Sequence, residues 1–217
     1  MRVAVFGDVH AHAEAFDAVL EAADGADELW SLGDMIGTGP DPAYVVARTR
    51  ERCRVALMGN HDYVATGAVD PERLGPALRS LELAREQLTE EDIEWMRRRR
   101  PAARRHGVQC WHGGPRDPVW QFVGPRNAAE CLTAQREPLG LVAHTHLAAA
   151  FQEGSKRPHR IVGGEPLELT GKWLLNPGAG SAGSWLLLDL EARTATWHRA
   201  PYDPAPAEAR ARALGLA

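Results

Sequence analysis

The sequence predicts an α/β fold in which two packed mixed β-sheets form a β-sandwich flanked by helices on both sides. Three observations carry the prediction. Short apolar runs alternate with longer amphipathic stretches through the first half, the chain turns strand-rich after Val108, and five of the apolar runs stop at clusters of Gly, Asp, Asn and His. Strand–helix alternation covers a sheet with helices, and the later strands supply a second sheet to pack against it.

The elements follow in order. Val3 to Phe6 reads as a buried strand, and Ala13 to Ala23 has helical spacing through Phe16, Val19, Leu20 and Ala23. Leu29 to Leu32 is a second strand. Asp41 and Pro42 are the N-cap and first-turn residues of a helix through Tyr44, Val45 and Ala47. Val55 to Met58 is a third strand. Helices over Leu74–Gln87 and Glu90–Arg99 come next, the second opened by Thr89 with Asp92 three residues on. Strands at Val108–Trp111 and Leu139–Ala143 then flank a helix around Asn127–Gln135. Candidate strands at Arg160–Val162, Trp173–Leu175, Trp185–Leu190 and Thr194–His198 close the fold, with turn residues between them.

Composition narrows the class. The 217 residues fit one domain over 1–203, and the Ala- and Arg-rich tail, 204–217, is expected to fray. Hydrophobic residues at 44% with 25% charged ones suit a soluble chain with a core. A formal net charge of −4 exerts no pull toward nucleic acid or an anionic membrane, so neither is an expected partner. Cys53, Cys110 and Cys131 lack the close spacing of a zinc or redox motif and read as small buried hydrophobes of a reducing compartment. The apolar run after Arg2 is too short for a signal peptide, and no later run approaches membrane-spanning length. A cytoplasmic location is expected, and homo-oligomerisation stays open.

The chemistry sits just past the strand ends. The five clusters are Asp8-Val9-His10, Gly33-Asp34, Gly59-Asn60-His61-Asp62, His112-Gly113-Gly114 and His144-Thr145-His146. Ligands of α/β sheets bind outside the carboxyl ends of the strands, so the five clusters can share one crevice. Carboxylates, an amide and imidazoles without thiolate suit Mn, Fe or Zn better than Ca or a structural zinc site. Alternate residues at a strand end project alike, which lets Asp8/His10 and His144/His146 each serve one metal or a close pair. Asp34 is the natural bridge, because a carboxylate can bind two cations and an imidazole cannot. Read singly, each histidine is an ordinary surface or core residue, and Gly33-Asp34 is an ordinary turn. Five in succession, each ending an apolar strand, point to a shared metal site.

In these motifs the chain resembles the calcineurin-like metallophosphoesterase superfamily. The resemblance runs from Val3 to about Ser181, if Asn176-Pro177-Gly178 is counted as the Asn-Pro-Gly turn of its small prokaryotic members. It implies a helix-flanked β-sandwich and two divalent transition-metal ions, manganese first, with iron or zinc as alternatives. Carried over, Asp8, His10 and His146 hold one metal; Asn60, His112 and His144 hold the other; Asp34 bridges. His61 becomes the acid near the leaving group, an imidazole protonated near neutral pH. The implied activity is hydrolysis of a small phosphodiester or nucleotide by in-line attack of a metal-held hydroxide.

Two departures bear on substrate. The Asp-Arg-Gly that follows Gly-Asp in the protein Ser/Thr phosphatases is replaced by Met35-Ile36-Gly37-Thr38-Gly39-Pro40, which counts against a phosphoprotein substrate and leaves His61 without an evident orienting partner. Ala143 stands where a glycine usually precedes His-x-His. The run from His112 to Pro118 looks closest to small phosphodiesterases compared with diadenosine tetraphosphatases. A phosphoprotein phosphatase and a non-catalytic metal-binding scaffold are the rival readings. Arg116, next to the His112 loop, is a candidate phosphate ligand, with a turn-and-salt-bridge role as its rival. Arg97–Arg100 reads as a solvated helix end. Trp120 and Phe122 read as packing residues rather than a substrate wall, and His12, His106, His159 and His198 as structural.

Overall fold

The computed structural model describes residues 1–70, 72 and 78–216. In chain order its elements are β1 (Arg2–Phe6), α1 (Ala13–Ala22), β2 (Glu28–Ser31), α2 (Pro42–Arg52), β3 (Val55–Ala56), α3 (Asn60–Ala65), α4 (Leu78–Gln87) and α5 (Glu90–Arg97). There follow β4 (Ala102–Arg105), β5 (Val108–Trp111), α6 (Ala128–Ala134), β6 (Leu139–Leu141), β7 (Ala149–Gln152) and β8 (Pro166–Glu168). The chain closes with β9 (Trp173–Asn176), a 3-10 turn at Gly180–Ala182, β10 (Ser184–Asp189), β11 (Thr194–Arg199) and α7 (Ala205–Ala213).

The strands form a sheet in the order β3-β2-β1-β10-β11-β8 and another in the order β4-β5-β6-β9-β7. Within the first, β1, β2 and β3 run parallel; within the second, β5, β6 and β9 do. Alternation along the strands explains the layering. Val3 and Val5 of β1 face the core between the sheets, with Trp30, Leu32, Cys110, Leu141 and Leu175. Ala4 and Phe6 face the other way, into a layer with Phe16, Val19 and Leu20 of α1 and Val45 and Val46 of α2. The outer face of the second sheet is covered by Cys131 and Leu132 of α6, against Trp111, Val142 and Leu174. Helices therefore cover both outer faces of the sandwich. The capping box opening α5 is present: Thr89 Oγ1 accepts from the Asp92 N–H and the Asp92 carboxylate accepts from the Thr89 N–H, each at 3.2 Å.

Some elements differ from expectation. Arg160–Val162 is not a strand; Ile161 packs on the inter-sheet core from a loop that runs into Gly163-Gly164. The short strands β4, β7 and β8 had no apolar alternation to announce them. Of the helix expected over Leu74–Gln87, residues 74–77 lie outside the described residues. The tail expected to fray instead forms α7, because Arg210 reaches back to the carboxylates of Asp41 and Glu14, each at 2.7 Å. Cys110 and Cys131 are buried, Cys53 is only partly so, and all three thiols are free. Among the described residues no helix is long and apolar enough to cross a membrane.

Candidate metal centre

Because β1, β2 and β3 run parallel in one sheet and β5 and β6 in the other, their carboxyl ends open onto one crevice. The loops there are laced together by backbone. The Asp8 N–H donates to Gly33 C=O and the His10 N–H to Asp34 C=O, both at 3.0 Å, and the Ala143 N–H donates to His112 C=O at 2.8 Å. The lacing holds a strained conformation. Asp8, His10, Asp34, His144 and His146 all have positive φ, between 50° and 64°. Such φ values are uncommon outside glycine and persist where surrounding structure over-determines them. Asn176 pins the last of these loops, its amide donating to Ala143 C=O at 2.9 Å and to Thr145 Oγ1 at 3.0 Å.

Seven expected ligands meet in this crevice. Asp8, His10 and His146 bring ligand atoms within 4.8 Å of one another, as do Asp34, His112 and His144. Asp34 lies between the groups: its Oδ2 is 3.6 Å from His10 Nε2 and 3.6 Å from His112 Nε2. Asn60 Oδ1 is 3.1 Å from His112 Nε2. A third grouping, His10, Asp34 and His61, meets the same distance, which brings His61 close to the ligand set.

The ring orientations say which atoms face the crevice. His10 Nδ1 lies 3.2 Å from Ile36 C=O and His112 Nδ1 lies 3.0 Å from Leu32 C=O. A carbonyl only accepts, so each Nδ1 carries the proton and each Nε2 presents a lone pair. The His144 ring likewise bonds the Trp120 backbone, and its Nε2 is buried without a partner among the described residues. Asp8 is half-used: Oδ1 accepts from the His144 N–H at 3.1 Å, while Oδ2 is buried and unpartnered. His10 Nε2 and His146 Nε2 stand 2.9 Å apart, and His112 Nε2 faces the Asn60 acceptor. Lone pairs set against lone pairs need a proton or a cation between them. The residues fit divalent cations.

Electrostatics agree. Burial pushes the Asp8 carboxyl up to about 8 and raises Asp34 well above its ordinary range, with Asp62 adding repulsion to both. Burial also holds His10 and His112 well below the usual imidazole value and brings His144 down to about 4. Neutral imidazoles beside carboxyls that ionise only against a counter-charge form a set that a divalent cation would complement. Burial, then His144 and His146, bring His61 down to about 4 as well. The expectation of a ring protonated near neutral pH is not met: the ring lies among other imidazoles, with no carboxylate ion-paired to it among the described residues.

Two close approaches shape the crevice. A Cβ at Gly59 would run into the Asp34 carboxylate, so only glycine fits there. The methyl group of Ala143 is accommodated across the sheets by Gly7, where an added Cβ would lie 2.9 Å away. Sequence reasoning missed Asp62. It is fully buried and accepts from the backbone N–H groups of Gly59 at 2.9 Å, Ile36 at 3.1 Å and Met35 at 3.3 Å. It thereby ties the loop after Asp34 to the start of α3, which carries Asn60 and His61. Arg116, expected at a substrate phosphate, instead pairs with Glu130 on α6 and does not line the crevice mouth. Trp120 and Phe122 do line the mouth, with Asp34, Asn60, His61, His144, Thr145 and His146.

Residues 1–190 match the model of the calcineurin-like phosphoesterase superfamily domain. The chain belongs to the calcineurin-like phosphoesterase superfamily. A metallophosphoesterase from Sphaerobacter thermophilus is 31% identical, superposes with a TM-score of 0.92, and is matched over 100% of this chain and 95% of its own. An uncharacterised protein of Methanocaldococcus jannaschii is 26% identical over 188 residues, 82% of this chain and 75% of its own length. A candidate diadenosine tetraphosphatase, 17% identical with a TM-score of 0.59 over 90% of this chain and 92% of its own, shares the fold. As a calcineurin-like phosphoesterase, the chain is a metal-dependent phosphoric ester hydrolase.

Proposed function

We propose that this phosphoesterase hydrolyses a small phosphodiester or nucleotide at a pair of divalent transition-metal ions. One observation carries the reading: Asp34 Oδ2 sits 3.6 Å from an imidazole of each ligand group, a position from which one carboxylate would serve both ions. Asp8, His10 and His146 would hold one ion, and Asn60, His112 and His144 the other. The O/N donor set favours manganese, with iron or zinc as alternatives. When bound, the ions supply charge neutralisation for the phosphoryl group and a nucleophile from water at neutral pH.

The chain's own groups do the rest. The backbone carbonyls of Ile36 and Leu32 fix the imidazole tautomers, so that no ring must turn during turnover. His61, at the mouth beside Asn60, directs its ring toward the departing oxygen. The negative charge of a bound phosphate favours the imidazolium form of this ring, which can then give its proton to the departing oxygen and return to the neutral state. The absence of Asp-Arg-Gly after Asp34 argues against a phosphoprotein substrate.

The test joins metal analysis to a substrate screen. Protein from metal-replete medium should carry two transition-metal ions per chain and should cleave bis(p-nitrophenyl) phosphate or a dinucleoside polyphosphate faster than a phosphopeptide. Stoichiometry held below one ion despite added manganese would sink the dinuclear reading. A preference for the phosphopeptide would sink the small-substrate one.

A further inference from the structure

Beside the metal crevice lies a second concavity of about 750 Å³, within the size range of small-molecule sites. Three loops wall it: Phe122 to Asn127, Thr145 to Ala149, and Pro158 to Ile161. Its surface is mainly apolar, from Phe122, Val123, Leu147 and Phe151, with Arg126 adding a guanidinium. It shares Phe122 and Thr145 with the crevice, so the two spaces adjoin.

Phe122 is the hinge between them. Its side chain is 64% exposed, and its ring stacks on His144 with centroids 4.1 Å apart and planes 18° from parallel. An expected metal ligand thus carries an aromatic plate on its face, with the plate's remaining surface open. Leu147, at 70% exposed, faces the same space. Large apolar side chains so exposed mark a contact site when they gather in one depression. The Phe122 loop is also pre-set. Asn127 accepts from the Gly124 N–H at 2.9 Å and donates to Phe122 C=O at 2.8 Å, which fixes the backbone that carries the ring.

We propose that this basin is the subsite for the organic group of the substrate, and that the group is a planar aromatic ring. The inference rests on the phosphoester reading of the crevice, since the phosphoryl group must sit at the ligands for its ester arm to reach Phe122. A flat π-system stacks on Phe122 and lies against Leu147 and Phe151. An extended alkyl chain gains the apolar contact without the stacking. Arg126 complements any further negative charge on that arm.

The probes are methyl-, phenyl-, cyclohexyl- and 1-naphthylphosphonate, titrated calorimetrically into the manganese-loaded full chain. They present one anionic head with different arms and do not turn over. Affinity should rise about tenfold or more from methyl to naphthyl, the range seen for single aromatic stacking contacts. Phenyl should exceed cyclohexyl. Phe122→Ala and Leu147→Asp, both at exposed positions where folding is not at risk, should each flatten the series. A flat series in the wild type overturns the proposal, and cyclohexyl equal to phenyl overturns its aromatic part. A flat series with a dimer that Phe122→Ala dissociates in sedimentation gives the basin to a second copy of the chain, again overturning it. Hydrolysis of bis(p-nitrophenyl) phosphate by the same preparations separates the two readings. A rising series without hydrolysis fails the function proposed above; hydrolysis with a flat series fails the subsite alone.

Discussion

The metal crevice and the basin beside it meet at Phe122 and Thr145, yet they are built from opposite materials. The crevice gathers Asp8, Asp34 and His112 at near-complete burial, with Asp8 and Asp34 on left-handed backbone and the loops laced by hydrogen bonds. The basin is loop-walled, apolar and open, with Phe122 and Leu147 largely in solvent. Reaction chemistry requires particular atoms at particular distances, whereas recognition of an organic arm requires only a surface of suitable shape. Residue types are therefore dictated at the first place and loosely constrained at the second.

Removing the shared ligand should give the largest effect. Asp34→Asn takes away a charge from both ligand groups, so manganese titration should show both sites lost and turnover at background. His146→Ala should weaken mainly one. Single-site loss in both variants would show that Asp34 does not bridge. Next in size is His61→Ala. It should lose about 10²–10⁴-fold in turnover on an alkyl or nucleoside ester, the range for a lost general acid, and clearly less on a p-nitrophenyl ester. An equal loss on both assigns His61 to positioning, and a lost metal makes it a ligand.

Asp62→Asn probes the scaffold rather than the ligands. It sets an amide N–H₂ against backbone N–H donors that now meet a carboxylate. A cost of about 1–3 kcal/mol in stability is expected for the unsatisfied pairing, with about 10–100-fold weaker metal binding. Denaturant unfolding and manganese titration read the two. Unaltered metal affinity would detach Asp62 from the centre. The smallest effect should come from Arg210→Ala, which frees α7 from Asp41 and Glu14. Arg210 is 41% exposed, so screening limits the loss to about 0.5–1 kcal/mol, or about 1–4 °C in Tm, with turnover unaltered. A drop in turnover would show that α7 reaches the crevice.

How far the molecule was legible follows the same division. Val3–Phe6, Leu29–Leu32 and Val108–Trp111 announce themselves because both faces of each strand are covered, which leaves little room for polar residues. The edge strands Ala102–Arg105 and Pro166–Glu168 pair on one side only and carry Arg, Pro and Glu at no penalty, so no pattern betrays them. The ligand clusters are readable because few side chains bind metal. Asp62 lies in one of those clusters, but besides the nearby Gly59 N–H its partners are the N–H groups of Met35 and Ile36, in a loop far away in sequence. Phe122 and Leu147 look like core residues, and only the finished surface shows them facing solvent.

The bond from the His144 N–H to Asp8 Oδ1 joins residues 136 positions apart, and β1 finds its antiparallel neighbour only in β10, at residues 184–189. The crevice is thus closed by contacts far apart along the chain, and it cannot form piecemeal. A chain cut before residue 139 lacks both the His144–His146 loop and the β10 partner of β1, so it cannot assemble the full ligand set.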